Sequence, residues 1–394
     1  YENNQDLFTR YHGDLFPYEE VDLIIEKWLK MQEYQEFTES VAANAHLSET
    51  TVNEISTQDV SDEKSDNAAQ WMAEFEVIWN QMQAEQRQRE DKNHLKENTG
   101  MEICGRCYYV SAIHGDDNND GTESHPLKSL YAVNCLDLQP GDQVLLERGS
   151  VFEGQFLHLD VQGTKEHPIY IGAYGTGERP LIQTNGQGIW YQDYGNHLDN
   201  TGHKWKGNVS STILLKDVEY IEIRGLELTN DRESSTDTEK DKKYNDADAM
   251  DRTGVAGVAK DNGTVDHIVL NDLYIHNVTG NVYNKHMTNG GIYFIVAKPT
   301  NEGETGIARY NDVQIRNCSL NKVNRWGIAV GYTYQWGQFQ TGELPDATMA
   351  KYGSSNVVIE NNYLNHVGGD AITTMYLDRP LIQYNVSENA AEQI

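Results

Sequence analysis

The sequence is poor in cysteine, in basic residues and in long apolar stretches, and each shortage excludes a class of protein. Four cysteines in 394 residues are too few for a disulfide-stabilised scaffold. No apolar stretch of about 18 residues occurs, so we expect no transmembrane helix. Lys and Arg number 31 against 61 Asp and Glu, and the resulting net charge of -30 disfavours nucleic acid and anionic membranes. The composition favours a secreted or cell-surface protein with a neutral or cationic partner.

Two short motifs match parts of metal sites without completing them. Cys104 and Cys107 form a CxxC pair, but no second pair or spaced histidines accompany it, so a local disulfide or free thiols are favoured over zinc. The loop from Asp116 to Asp120 matches the first half of an EF-hand calcium loop. Its twelfth position is Leu127, which supplies no carboxylate. We therefore interpret the loop as an Asp- and Asn-rich turn, and no cofactor is expected.

The chain divides into two regions of different composition. Residues 1–102 are poor in glycine and rich in Glu, Gln and Asn, and apolar residues recur there at helical spacing in segments beginning at Tyr18 and Trp71. This pattern predicts a small α-helical N-terminal region that caps the following domain or assists its folding. Residues 103–394 consist instead of short alternating segments, which are typical of β-strands.

Four segments of the second region superpose as copies of one repeat, and a fifth follows after a shorter interval. The copies begin at Tyr220, His267, Asp312 and Asn356. Their apolar residues form two columns: Ile223, Leu270, Ile315 and Ile359 in one, and Leu228, Ile275, Leu320 and Leu364 in the other. Asn317 and Asn361 also share a column, which predicts an asparagine stack inside a turn.

Each copy is followed by a second short strand, and these strands begin at Thr253, Gly290, Trp326 and Asp370. Two short strands with polar turns, repeated along the chain, describe one coil of a parallel β-helix. The uneven spacing of the copies predicts loops inserted between coils, which collect on one face and form the binding surface. A β-propeller would need four strands per blade and a more regular period.

Asp370 and Asp378 bracket the second strand of the fourth copy and are the candidate catalytic residues. Neighbouring coils lie about 4.8 Å apart, so the alignment places Trp326 beside Asp370, as in glycosidases that hold a sugar ring next to an acid. A straight strand from Asp370 to Asp378 would span roughly 26 Å, whereas glycosidase carboxyls lie about 5 to 9.5 Å apart. The pair therefore requires a bend at Tyr376 to Leu377. The alternative to a catalytic role, for either aspartate, is that it is a turn residue.

Aromatic and polar side chains accompany these carboxylates. Aromatic rings in such numbers are typical of sites that stack on the apolar faces of sugars, and loop packing is the alternative. Six residues are candidates for substrate binding: Trp326, Tyr332, Trp336, Tyr376, Arg325 and His286. Residues such as Arg325 and His286, the polar members of this set, more often have a structural role when each is considered alone.

The run from Tyr108 to Gly154, which includes "YYVSAIHGDDNNDG" and "LQPGDQVLLERGSVFEG", resembles the opening of bacterial right-handed parallel β-helix carbohydrate enzymes of the pectate-lyase type. The run "GGDAITTMYLDRPLIQYNVSENA" is similar to their later coils. With its helical N-terminal region, the chain most resembles family 136 glycoside hydrolases, the lacto-N-biosidases. That resemblance implies a secreted enzyme of gut bacteria that releases lacto-N-biose from human milk oligosaccharides through two aspartates. It also implies an N-terminal region that assists folding of the β-helix.

Other expectations concern partners and alternative functions. The sequence ends at Ile394 soon after a coil begins, which predicts a second chain or a C-terminal portion that completes the β-helix. A polysaccharide lyase is one alternative, with Arg325 near Asp370 as its base, and its unsaturated product would absorb ultraviolet light. A non-catalytic β-helix, such as a carbohydrate-binding adhesin, is the other.

Overall fold

The computed structural model describes residues 105–198, 203–231, 250–339 and 346–393. The predicted helical region, residues 1–102, lies outside the described residues, so its fold, its capping role and the division of the chain at residue 102 stay predictions. Cys104 of the CxxC pair also lies outside them, whereas Cys107 is a free thiol.

The described chain is built mainly from short strands. They are β1 Cys107–Val110, β2 Gln143–Glu147, β3 Val151–Glu153, β4 Leu157–Leu159, β5 Ile169–Tyr174, β6 Leu181–Gln183, β7 Ile189–Asp193, β8 Lys206–Lys216, β9 Ile221–Arg224, β10 Glu227–Asn230, β11 Asp251–Ala259, β12 Thr264–Asn271, β13 Tyr274–Val278, β14 Gly290–Val296, β15 Arg309–Arg316, β16 Ser319–Val323, β17 Trp326–Thr333, β18 Ser354–Ser355, β19 Val358–Glu360, β20 Tyr363–Val367, β21 Ile372–Thr374, β22 Leu377–Asp378, β23 Leu381–Gln383 and β24 Val386–Glu388. The helices are α1 Leu130–Asn134, α2 Glu302–Thr305, α3 Asp346–Tyr352 and a 3-10 helix at Trp336–Phe339. In this part of the chain, no helix is both long and apolar enough to span a membrane.

The strands form three sheets, and all pair in parallel except β7, which is antiparallel to β8. The first sheet contains β1, β2, β5, β9, β12, β15, β18, β19, β22 and β23. The second contains β3, β6, β10, β13, β16, β20 and β24, and the third contains β4, β7, β8, β11, β14, β17 and β21. The chain visits the sheets in turn, for example from β12 to β13 to β14. This path is consistent with a parallel β-helix, and the prediction of mainly β structure with parallel strands is confirmed.

Aligned apolar columns form the interior. In the first sheet Ile223 pairs with Leu270, Leu270 with Ile315, and Ile315 with Ile359. The second sheet aligns Leu228, Ile275, Leu320 and Leu364 in the same way. All of these side chains are fully buried, and each contributes roughly 1.5 to 3 kcal/mol of hydrophobic free energy. Both predicted columns are therefore confirmed.

Asparagines form the corner between the first and second sheets. Asn317 and Asn361 occupy equivalent positions there, with φ of 52° and 55°. The buried stack lies one residue further on, because the positive φ turns the next side chain inward. Asn362 Nδ2 donates to Ile315 O and to Asn385 Oδ1, both at 2.9 Å. The predicted stack of Asn317 and Asn361 is therefore displaced by one residue, to the buried Asn362 and the half-buried Asn385.

The central strands of the third sheet are buried on both faces, whereas its outer strands β7 and β21 are not. Every residue of β14 and β17 is buried, whereas β2 of the first sheet alternates between buried and half-buried positions. The inner face joins the main core, and the outer face carries a second apolar cluster that includes Tyr194, Leu198 and Tyr293. Long connections precede and follow the strands of this sheet, such as residues 279–289 before β14 and 297–308 after it. Because the inserted segments lie beside the third sheet, we look for the candidate site there.

Candidate functional site

The site is organised by one column at the start of the third-sheet strands. Thr253 pairs with Gly290, and Gly290 pairs with Trp326. On the next coil Ile328 pairs with Ile372, and Gly327 N donates to Asp370 O at 3.0 Å. Trp326 and Asp370 are therefore neighbours on successive coils, as the repeat alignment predicts.

The two candidate catalytic aspartates lie on different sheets. Asp370 is exposed just before β21 of the third sheet, where its Oδ2 accepts a hydrogen bond from Thr373 Oγ1 at 3.3 Å. The predicted bend is present, because Tyr376 has φ of 55° and β22 of the first sheet begins immediately after it. Asp378 forms a 3.1 Å ion pair with Arg379 on that sheet. The bend thus turns Asp378 away from the third sheet, and a catalytic role for the pair stays a prediction.

Four of the predicted binding residues come together as an aromatic cluster, defined here as His286, Tyr332, Trp336 and Tyr376. The Tyr332 and Trp336 rings are nearly parallel, with centroids 5.9 Å apart and an interplanar angle of 7°. Tyr376 meets Trp336 edge to face at 5.5 Å. The His286 ring lies 5.3 Å from Tyr332 and 5.6 Å from Trp336. These residues come from three successive coils, so only the folded chain assembles them.

The cluster has an open side and a covered side. Trp336 and Tyr376 are half-buried and so keep part of their rings accessible. Tyr332 is only 4% exposed and His286 is fully buried. Phe339 stacks on Tyr376 at 4.0 Å and holds it from behind. Trp336 and Tyr376 therefore form the accessible surface, and Tyr332 and His286 support it.

The remaining two candidates, Arg325 and Trp326, form a buried layer beside the cluster. Trp326 is 5% exposed, and the Arg325 guanidinium carbon lies 4.1 Å from its ring centroid. Trp326 Nε1 donates to Lys285 O at 3.0 Å, and Arg325 Nη1 donates to Val282 O at 2.7 Å. Burial lowers the pKa of Arg325, while the charge of Asp370 is among the influences that raise it. The structure thus gives Trp326 a supporting position with its ring covered.

Sequence reasoning missed a buried carboxylate, Asp251, at the start of β11. Its side chain is fully buried and accepts hydrogen bonds from Lys204, Asn284 and Asn289. Burial is the largest influence on Asp251 and raises its pKa, while these hydrogen bonds oppose the shift. The one feature of the sequence that could have pointed to Asp251 is its position two residues before Thr253, in the segment that begins strand β11.

The structure also describes the Asp-rich loop near the start of the β-helix. Asp116 Oδ1 accepts from Asn118 N at 2.9 Å, and Asp120 Oδ1 accepts from Thr122 N at 3.1 Å. These backbone hydrogen bonds lower the pKa of both carboxyls and are consistent with the turn interpretation. Across the described ranges, no group of three or more His, Cys, Asp or Glu residues is placed to hold a metal ion.

The coils of the third sheet thus carry an exposed carboxylate, Asp370, just before β21, and two partly open aromatic rings, Trp336 and Tyr376, just after β17 and β21. Over 331 residues the chain is 46% identical to the lacto-N-biosidase of Bifidobacterium longum subsp. longum, an alignment covering 76% of this chain and 21% of the relative. Two crystal structures of the GH136 lacto-N-biosidase from Eubacterium ramulus are 58% and 57% identical, with TM-scores of 0.72. The match covers 100% of this chain and 57% of theirs. No protein-family model matches the chain.

These identities make the chain a homologue of the GH136 lacto-N-biosidases, and the resemblance predicted from the sequence is confirmed. The chain spans about a fifth of the curated relative and little more than half of the solved chains. The activity of the whole protein is accordingly a matter for proposal.

Proposed function

We propose that the chain is part of a secreted bacterial glycoside hydrolase that releases lacto-N-biose from human milk oligosaccharides. The observation that carries this proposal is the 57% to 58% identity with a GH136 lacto-N-biosidase across the entire chain. The partner would be a neutral oligosaccharide. A protein with a net charge of -30 repels polyanionic substrates, so its charge fits a neutral sugar.

The accessible rings of Trp336 and Tyr376 are the proposed sugar-binding surface. Their edge-to-face contact at 5.5 Å leaves two differently inclined ring faces at one place. Such faces stack on the apolar sides of pyranose rings. Because both rings are already half-buried, only their exposed faces have to lose water when a sugar binds. Tyr332 and His286 hold Trp336 in place, so that its orientation exists before the sugar arrives.

Asp370 is the carboxylate that we propose to act on the glycosidic bond. In two-carboxylate hydrolysis one acid protonates the leaving oxygen, and the other attacks the anomeric carbon or activates water. Asp370 is exposed and follows Trp326 in the column that begins the third-sheet strands. Asp378 is the second candidate. Its ion pair with Arg379 and its place on the first sheet favour Asp370 over it.

The test is hydrolysis of a chromogenic lacto-N-bioside by the natural protein that contains this sequence. Asp370→Asn should lower kcat by about 100- to 10,000-fold, the usual contribution of a positioned acid or base, with little change in KM. Asp378→Asn measures the second candidate in the same assay. Asp160→Asn is the matched control, because this exposed aspartate follows β4 at the other end of the third-sheet region.

Two results would contradict the proposal in different ways. An unchanged kcat in Asp370→Asn, with the protein folded, would assign the chemistry to another carboxylate. Absence of hydrolysis of every lacto-N-bioside by the unmodified protein would contradict the function itself.

A further inference from the structure

We infer that Asp251 is a positioning residue for the proposed sugar site. It holds residues 284–289, called here the 284–289 segment, and through them sets the His286 ring and the Lys285 carbonyl against the aromatic cluster. The choice of sugar ligand rests on the proposed function, whereas the structural coupling does not.

Asp251 ties the two ends of the 284–289 segment to a single oxygen atom. Its Oδ1 accepts from Asn284 Nδ2 at 2.8 Å and from Asn289 Nδ2 at 2.6 Å. Its Oδ2 accepts from Lys204 Nζ at 2.7 Å. The carboxylate is fully buried, whereas the Lys204 side chain is 37% exposed. A buried carboxylate is tolerated only when it is paired in this way, so the three donors and the charge form one unit.

Two further contacts hold the segment along its length. Asn289 Oδ1 accepts from Arg252 N at 2.8 Å, which locks the segment to β11. Gln192 of β7 donates from Nε2 to His286 O at 2.9 Å and accepts from Thr288 N at 2.9 Å. The backbone on both sides of His286 is therefore anchored, and little freedom remains for its ring.

The other side of the 284–289 segment contacts the site directly. Lys285 O accepts from Trp326 Nε1 at 3.0 Å and from Tyr293 Oη at 2.7 Å. The His286 ring packs edge to face on both Tyr332 and Trp336. A shift of the segment would thus change the support of Trp336, one of the two accessible rings.

The chemistry at this position requires a carboxylate. All three side chains around Asp251 present N–H donors, and only a carboxylate offers acceptors in every direction. Asn is the same size, but its amide nitrogen would face one of these donors. Asp251→Asn therefore loosens the 284–289 segment without leaving a cavity.

The experiment compares Asp251→Asn with Asp217→Asn in the natural protein. Asp217 is a matched control because it follows β8, the strand paired with β11, at the opposite end of the strands from Asp251, and it accepts from Asp261 N at 3.0 Å. Its φ of 53° suits asparagine. Asp251→Asn should raise KM for a lacto-N-bioside tenfold or more while kcat changes less than threefold. Asp217→Asn should lower the Tm without changing KM.

A second readout does not depend on the sugar. With 15N-tryptophan labelling, Asp251→Asn should shift the indole N–H resonance of Trp326, whose acceptor is the Lys285 carbonyl, and Asp217→Asn should not. Trp326→Phe assigns that resonance by removing it. Asn284→Ala releases one end of the segment from Asp251 and should shift the same resonance less.

The outcomes are distinct. A folded Asp251→Asn protein with unchanged KM and an unchanged Trp326 resonance would overturn the inference. If the unmodified protein hydrolyses no lacto-N-bioside, the proposed function fails, and the Trp326 resonance alone then decides whether Asp251 positions the segment. If Asp251→Asn does not fold, Asn284→Ala decides it: an unshifted resonance and an unchanged KM would overturn the inference.

Discussion

Replacing His267 by Asn is expected to destabilise the protein near pH 6 and to have little effect near pH 10. His267 lies on the outer face of the first sheet between two carboxylates on neighbouring coils. Its Nδ1 lies 2.7 Å from Asp312 Oδ2, and its Nε2 lies 3.4 Å from Glu222 Oε1. These hydrogen bonds, with Asp312 first, raise the pKa of His267 from 6.5 to about 9. Its φ of 52° is one that asparagine adopts readily, so the backbone should remain unchanged.

The magnitude follows from the shift in pKa. A rise from 6.5 to about 9 corresponds to an upper limit of about 3 kcal/mol at 1.36 kcal/mol per unit. The ring and its partners are partly exposed, and solvent screening reduces this to about 1 to 2 kcal/mol. Because the folded-state pKa is raised, the stabilisation is complete below pH 6.5 and is lost as the pH rises through about 9. On the acid side, hydrogen bonding to His267 lowers the pKa of Asp312, so stability is lost again as that carboxylate is protonated.

Calorimetric Tm values of both proteins at pH 6 and pH 10 provide the assay. The variant should melt about 2 to 6 °C lower at pH 6, and the difference should nearly vanish at pH 10. His276→Gln is the control, because His276 pairs with the single carboxylate of Glu227 at 2.8 Å. An equal difference in Tm at both pH values would refute the reasoning, since the loss would then not come from a protonated imidazole.

Three further predictions concern the site and the coil. Trp336→Ala should weaken lacto-N-biose binding about tenfold, or roughly 1.4 kcal/mol, in titration calorimetry, and Trp336→Phe should recover much of it. Gly327→Ala should lower both Tm and kcat, because the added Cβ would lie 2.4 Å from Ala371 O on the coil that carries Asp370. Asn362→Leu should cost about 2 to 4 kcal/mol in urea unfolding, because Cys318 N and Ile315 O would lose their hydrogen bonds to the Asn362 amide.

Each of these has a clear contrary result. Equal affinities of the Trp336→Ala and unmodified proteins would place the sugar elsewhere. Gly337→Ala is the control for the glycine variant, since nothing lies within 4 Å of the position that its Cβ would take, and equal effects of the two would contradict the steric argument. Asn361→Gly keeps the positive φ of the corner and should be tolerated. Equal losses from Asn361→Gly and Asn362→Leu would show that the corner, and not the buried amide, carries the stability.

The sequence alone determined the register of the two apolar columns and the column at the start of the third sheet. The prediction of two strands per coil was wrong, because each repeat copy bends at its corner and contributes one strand to the first sheet and one to the second, such as β9 and β10. Alternation along a strand is local, and a repeat aligns equivalent residues whatever lies between the copies. The repeat by itself therefore stacks Ile223, Leu270 and Ile315, and it places Trp326 next to Asp370. The sequence named Tyr376 to Leu377 only as the place where a bend would be needed to bring Asp370 and Asp378 together, and the structure has a bend there that turns Asp378 away.

Only the tertiary structure decided which side chains face the solvent and which partners they meet. It buried Trp326 beneath Arg325 and turned Asp378 onto the first sheet. It also joined Asp251 to Lys204 and Asn289, which lie 47 and 38 residues away in sequence. Such contacts form where inserted segments of unrelated sequence cover a sheet, and no repeat or periodicity constrains them. The coil follows from local alternation, whereas the site follows from how the insertions pack on it.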